Sequence, residues 1–250
     1  MRSTRVLLLL MTCLLLTPVA WAASSPSAAD ILNRVDDLYR GRSSHGVMTM
    51  KVTNPNYERE LEMEFWSRGT EESLIRILAP KKERGTATLK NGNNIWNYLP
   101  KVDRTIKIPS SMMGGSWMGS DFTNDDLVKE HRMAEDYDST FTSSPGMGQD
   151  IIEITCNPKP NAPVVWGKVL VRAHRSDLIP RDVLYYKEDG ALARRLTFSD
   201  VREIDGRKIP TKMTMVPIKK KGHRTVVTYE KIQFDVSVPE RLFTVANLRD

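Results

Sequence analysis

The chain has 250 residues, with 37 Lys and Arg against 31 Asp and Glu. A net charge of +6 over this length is mild and does not indicate a nucleic-acid binder, which needs a concentrated basic face. Two cysteines, one of them in an N-terminal apolar run, leave no intramolecular disulfide framework, so stability has to come from a packed core.

Arg2 and Arg5 open the chain, Val6 to Leu16 is apolar, and Ala20-Trp21-Ala22 offers a small-residue cleavage site. That is the pattern of an export leader over residues 1–22, and the expected location is the periplasm. The apolar run is shorter than the roughly 20 residues of a spanning helix. Cys13 follows Leu10-Met11-Thr12 with no small residue before it, so a lipid anchor is not expected. Without Arg2 and Arg5, Lys and Arg fall from 37 to 35 against 31 acids, a charge of +4, and Cys156 stands alone. No Pro/Ser/Gly linker interrupts residues 23–250, which read as a single domain.

Ser27 and Asp30 form a capping-box pattern, and Ile31, Leu32, Val35, Leu38 and Tyr39 follow on one helical face that Gly41 ends. From Val47 the period becomes two. Tyr57, Arg59, Leu61, Met63 and Phe65 take one side, and Glu58, Glu60, Glu62 and Glu64 the other, as in an antiparallel sheet with one wet face. Strands are expected at 74–78, 86–90, 94–99 and 104–108, with Asn91-Gly92 as a hairpin turn.

Residues 110–127 break the pattern. Met112, Met113, Trp117, Met118 and Phe122 sit among serines and glycines, too flexible for a strand and too apolar for an ordinary loop. One reading is a movable apolar flap, since the methionine thioether adapts to ligands of varied shape; the other is a loop that caps the core. Thr123 and Asp126 then open a short helix that runs to His131. Strands resume at 151–156, 164–173, 181–187, 191–199, 208–216 and 224–234, with Asp189-Gly190 and Asp205-Gly206 as turns. About eleven strands and two helical segments predict a mainly β fold, an incomplete, half-open antiparallel β-barrel with one apolar face.

Residues for chemistry do not converge. His45, His131, His174 and His223 are scattered, and Asp121, Asp125 and Asp126 lack the spacing of a calcium loop. No nucleophile motif or phosphate loop is present, and Cys156 falls on a strand face as a small apolar residue. The expectation is a protein that is not an enzyme and uses no metal or cofactor. Lys219-Lys220-Lys221-Gly222-His223-Arg224 reads either as a solvated hairpin tip or as a transient contact with an anionic membrane surface.

Three segments carry a family resemblance: Ile31 to Gly41 in the first helix, Gly92 to Pro100, and Gly119 to Leu127. With them the chain resembles the LolA-like superfamily of periplasmic lipoprotein-sorting proteins, in its outer-membrane lipoprotein-sorting branch. The resemblance implies a barrel whose helical lid covers a cavity for the acyl chains of lipids or lipoproteins. Its implied partners are an inner-membrane transporter and an outer-membrane acceptor, with no nucleic acid. Met63, Phe65, Trp96 and Tyr98 are then the expected wall residues, the last two placed inward by their size. Met112, Met113, Trp117, Met118 and Phe122 are the expected lid residues. By order along the chain the family's lid-latching arginine falls on Arg59, Arg68 or Arg76. A lipid-sensing protein that contacts a membrane partner and an envelope hydrolase are the alternative functions.

Overall fold

The computed structural model describes residues 26–38, 41–129, 133–146, 148–162 and 164–249. The leader expected over 1–22, Tyr39 and His131 lie outside these residues.

The first helix, α1 (Ala28–Leu38), starts where the sequence places it. The backbone N–H of Ser27 donates to Asp30 at 2.9 Å, and the N–H of Asp30 donates to the Ser27 hydroxyl at 3.1 Å, a closed capping box. Ile31, Leu32 and Val35 are buried against the sheet. Six strands follow: β1 (Ser43–Thr53), β2 (Glu58–Arg68), β3 (Glu72–Ala79), β4 (Ala87–Asn91), β5 (Asn94–Leu99) and β6 (Arg104–Lys107). Residues 108–136 carry two short helices, α2 (Asn124–Lys129) and α3 (Met133–Asp136). The second half comprises β7 (Tyr137–Thr142), β8 (Ile151–Pro158), β9 (Lys168–His174), β10 (Pro180–Tyr186), β11 (Leu192–Ile204), β12 (Arg207–Pro217) and β13 (Arg224–Phe234).

All thirteen strands form one antiparallel sheet, in the order β6-β5-β4-β3-β2-β1-β13-β12-β11-β10-β9-β8-β7. It is mainly β and open, as expected, with thirteen strands where the sequence pattern gives about eleven. The strand that periodicity misses is β7, a polar edge strand with Tyr137 as its one buried residue. The two edges, β6 and β7, are joined by the lid segment, which therefore runs from one rim of the sheet to the other. The β4–β5 hairpin pairs Asn91 with Asn94, so its two turn residues are Gly92 and Asn93, with Gly92 at φ 57°.

The main core lies on the concave face. Met48, Met50, Leu61, Met63, Ile154, Val169 and Met215 meet α1 and Trp117 there. The expected single apolar face holds for β2 but not for β3 to β5. Leu74, Ala87, Leu89 and Tyr98 form a second cluster on the opposite face, closed by Phe243 and Leu248 from the C-terminal segment. Asn91 donates to the carbonyl of Phe243 at 3.2 Å, and Arg76 to that of Asn247 at 3.1 Å, which fixes this cover in place.

Candidate functional site

Between α1, the lid helices and the concave face lies a cleft with a cavity volume of about 180 Å³. Its body is apolar: Leu32 and Val35 from α1, Phe65 and Ile75 from β2 and β3, Leu127 and Met133 from the lid, and Val183, Phe198, Met213 and Tyr229 from the second half. A smaller cavity of about 30 Å³ shares Met133, Tyr185 and Leu196 with it and adds Phe122 and Trp166. Most of the polar lining gathers near the β2–β3 turn, from Ser44, Ser67, Thr70, Ser73, Glu72 and Lys90, and Asp36 of α1 adds a carboxylate. The Ser44 and Ser67 hydroxyls share a hydrogen bond of 2.6 Å. Lys90 is 4% exposed and donates to the carbonyl of Thr70.

The lid is tied down at several points. Trp117 is buried, and its Nε1–H donates to Thr88 Oγ1 at 3.1 Å; Thr88 donates in turn to Asn97 Oδ1 at 2.7 Å. The backbone N–H of Trp117 donates to the carbonyl of Phe122 at 2.8 Å, closing the flap on itself. Met118, which holds a left-handed φ of 49°, presents its carbonyl to Arg59 Nη1 at 2.9 Å. Arg59 also pairs with Glu83. Asp126 completes the cap of α2, accepting from the N–H of Thr123 at 2.7 Å, and receives both guanidinium nitrogens of Arg194. Arg194 is itself buried, with its guanidinium 4.4 Å and 4.3 Å from the ring centres of Trp166 and Tyr185. Asp121 exchanges hydrogen bonds with Thr225 at 2.9 and 2.8 Å.

Against this geometry the expected site residues divide. Phe65 lines the cleft. Met63 is fully buried in the core beside it. Trp96 and Tyr98 lie on the other face of the sheet with the C-terminal cover, and the Tyr98 hydroxyl donates to Asp103 at 3.2 Å. Size misplaces them because the convex face of β5 is also covered. Trp117, Met118 and Phe122 pack on the main core from the lid, while Met112 is 56% exposed and Met113 half-buried. Of the three candidate latching arginines, Arg59 reaches the lid, Arg68 pairs with Glu72 and Glu240, and Arg76 holds the C-terminal segment. Pattern reading misses Lys90 and Arg194, charged residues that the fold buries.

The groups for other chemistry stay apart. His45 pairs with Glu64 at 2.8 Å and stacks on Trp66, His174 lies 3.9 Å from Asp150, and His223 lies 3.8 Å from Asp121. Among the described residues no group of three His, Cys, Asp or Glu is placed to hold a metal ion, and no helix is long and apolar enough to cross a membrane. Burial pushes the Cys156 thiol up to about 12, with the charge of Asp36 adding to it, so this sulfur is a packed apolar group.

A family model described as "Uncharacterized protein" matches residues 69–250. No curated protein matches the chain. Among solved structures, a domain from Vibrio parahaemolyticus named for outer membrane lipoprotein sorting superposes with a TM-score of 0.78 at 22% identity, covering 89% of this chain and 98% of its own. A DUF1329 family protein from Desulfovibrio piger ATCC 29098 gives 0.80 at 21%, covering 88% and 97%. The LolA superfamily protein NE2245 from Nitrosomonas europaea gives 0.74 at 22%, covering 89% and 99%.

Proposed function

The chain belongs to that family of uncharacterized proteins and has the LolA-like fold, and from this premise we propose that it is a periplasmic carrier of acyl chains. It takes the chains of lipids or lipoproteins from an inner-membrane transporter into the cleft and releases them to an outer-membrane acceptor. Binding and release, not catalysis, are its work.

The observation that carries this reading is an apolar cleft under a lid, with most of its polar lining near the β2–β3 turn. An acyl chain gains about 0.8 kcal/mol for each CH₂ it buries, so even partial cover competes with exposure to water. At about 180 Å³ the cleft is smaller than the roughly 300–1,000 Å³ of a pocket for a drug-sized ligand. Admission of a whole chain therefore requires the lid to lift. Its polar ties, the hydrogen bonds and the Arg194–Asp126 pair, can reform when the lid returns, and the apolar packing of Trp117, Met118 and Phe122 sets the cost of lifting it. Phe65, Ile75, Phe198 and Tyr229 are the wall in this reading, and Leu127 and Met133 the lid residues that face the chain.

Native mass spectrometry of the protein purified from its own periplasm, followed by extraction and identification of what it carries, tests the proposal. A stoichiometric lipid or acylated peptide supports it, and Phe198→Asp, which sets a charge on the half-buried wall, is expected to lower the occupancy at least tenfold. A mass without cargo, together with no uptake of added lipid or lipopeptide, would remove the carrier reading.

A further inference from the structure

The turns between successive strands alternate between the two ends of the sheet, and the two ends differ in charge. At one end lie residues 54–57, 80–86, 100–103, 159–167, 187–191 and 218–223, which together hold nine Lys and Arg and four Asp and Glu. The five turns at the other end, 69–71, 92–93, 143–150, 175–179 and 205–206, hold one cation and four acids. A modest overall charge is thus gathered at one end. Lys159 there donates to the carbonyls of Ala134 and Glu135, and the other eight cations are exposed. Among the acids, Glu83 pairs with Arg59, and Asp103 lies 3.7 Å from Arg249.

The same end carries exposed apolar side chains. Tyr57, Val102, Val165 and Ile218 stand on its turns at 46–59% exposure, and among the described residues the opposite turns have no large apolar side chain so exposed. Neighbouring turns touch. A Cβ on Gly222 would lie 3.1 Å from Pro55, and one on Gly85 would lie 3.6 Å from Pro100. The turn of Lys219, Lys220 and Lys221 therefore packs beside that of Tyr57, and the turn of Lys81 and Lys82 beside that of Val102. The flap is seated at this end as well, through Asp121 on Thr225 and the Met118 carbonyl on Arg59.

We propose that this end docks on an anionic membrane surface, its lysines on the phosphates of lipid head groups and Tyr57, Val102 and Ile218 reaching the acyl boundary. Ammonium groups interleaved with isolated apolar tips suit that layered surface, polar outside and apolar beneath. Seven of the eight exposed cations are lysines, with Arg84 the exception, whereas protein interfaces are enriched in arginine and poor in lysine. The chemistry thus favours lipid over an acidic protein partner. The inference goes beyond the carrier reading, since docking needs no cargo; in a loaded carrier it would hold the flap against the bilayer.

Sedimentation of the purified, delipidated protein with vesicles tests it, phosphatidylcholine alone being set against an equimolar mixture with phosphatidylglycerol. Binding to the mixed vesicles is expected at low salt and should fall steeply as ionic strength rises. Lys219→Gln, Lys220→Gln and Lys221→Gln combined should weaken it about a hundredfold, at about fivefold for each cation removed. Arg175→Gln, Arg202→Gln and Lys208→Gln combined remove the same charge from exposed positions at the opposite end and should leave binding within about twofold. Equal losses in the two sets would trace binding to net charge and overturn the docking end. So would binding no tighter to mixed than to neutral vesicles. Capture by immobilised polyglutamate without capture by mixed vesicles would assign the end to an acidic protein surface instead. Lipid drawn into the cleft stays with the protein in the supernatant, so failure to sediment leaves the carrier reading standing, and a protein that carries nothing can still dock.

Discussion

Arg194 of β11 holds Asp126 of α2 with two parallel hydrogen bonds, one of them 2.7 Å, while two aromatic rings enclose its guanidinium. The two residues are 68 positions apart in the chain, and their pairing fixes the start of α2 over the second half of the sheet. Asp126 also closes the cap of its own helix, so one carboxylate serves both the local fold and the seat of the lid.

Removal of either partner leaves a charge at a buried or half-buried position. Asp126→Asn and Arg194→Met are each expected to cost about 3 kcal/mol, the lower end for a broken buried pair. The loss should concentrate in the lid. Hydrogen exchange should quicken at residues 113–129 while the amides of β1 and β2 keep their protection; uniform quickening across the sheet would count against a lid-specific role.

Trp117 fills the core from the lid. Trp117→Ala should destabilise the protein by about 3–5 kcal/mol through the cavity it leaves. Trp117→Phe, which keeps most of the apolar surface and loses the bond to Thr88, should cost about 1 kcal/mol. Urea unfolding measures both, and a smaller loss for Ala than for Phe would contradict the packing described here.

Cys156 is fully buried, and burial holds its thiol near 12. Alkylation at pH 8 is expected to leave the native protein unmodified and to label it fully in denaturant, as read by mass. Prompt labelling without denaturant would show that β8 opens far more readily than its packing allows.

Glu153, on the convex face of β8, supplies the acid-side behaviour. Burial pushes its carboxyl up, but hydrogen bonds from Ser144, Arg172 and Thr142 outweigh that and hold it below its ordinary value of 4.5. The unfolded chain therefore takes up this proton at a higher pH than the folded one. The stabilisation is complete above 4.5 and is lost as pH falls through the folded value. Glu153→Gln should lower Tm at pH 7 and flatten its decline between about pH 5 and 3. An unchanged slope in that window would exclude this carboxylate as a source.

Much of the scaffold is legible in the chain because its signals are local. Ser27 and Asp30 announce α1, Thr123 and Asp126 announce α2, and the alternation from Arg59 to Phe65 assigns the faces of β2. What escapes is decided at long range. Tyr137 alone does not make a visible period, and the role of Phe243 as a cover shows only once it meets β3 and β4. That same contact hides β4, whose two faces are both covered, and turns Trp96 and Tyr98 away from the cleft. Lys90 and Arg194 carry no motif; their partners lie on other elements, and burial, which the sequence does not display, is what singles them out.

The strand order also governs how the molecule is assembled. Eleven of the twelve strand pairings join neighbours in the chain, so two meanders can each zip up from short hairpins. The remaining pairing, β1 with β13, brings Ser44 to Phe234 and closes about three quarters of the 250-residue polypeptide. Its entropic cost comes before its contacts repay it, which makes this seam the expected late step of folding. In pulse-labelled refolding, amides of the β1–β13 ladder should gain protection after those of β2–β3 and β11–β12. A folding chain would then complete its two wings first and gain the cleft between them only when the seam closes.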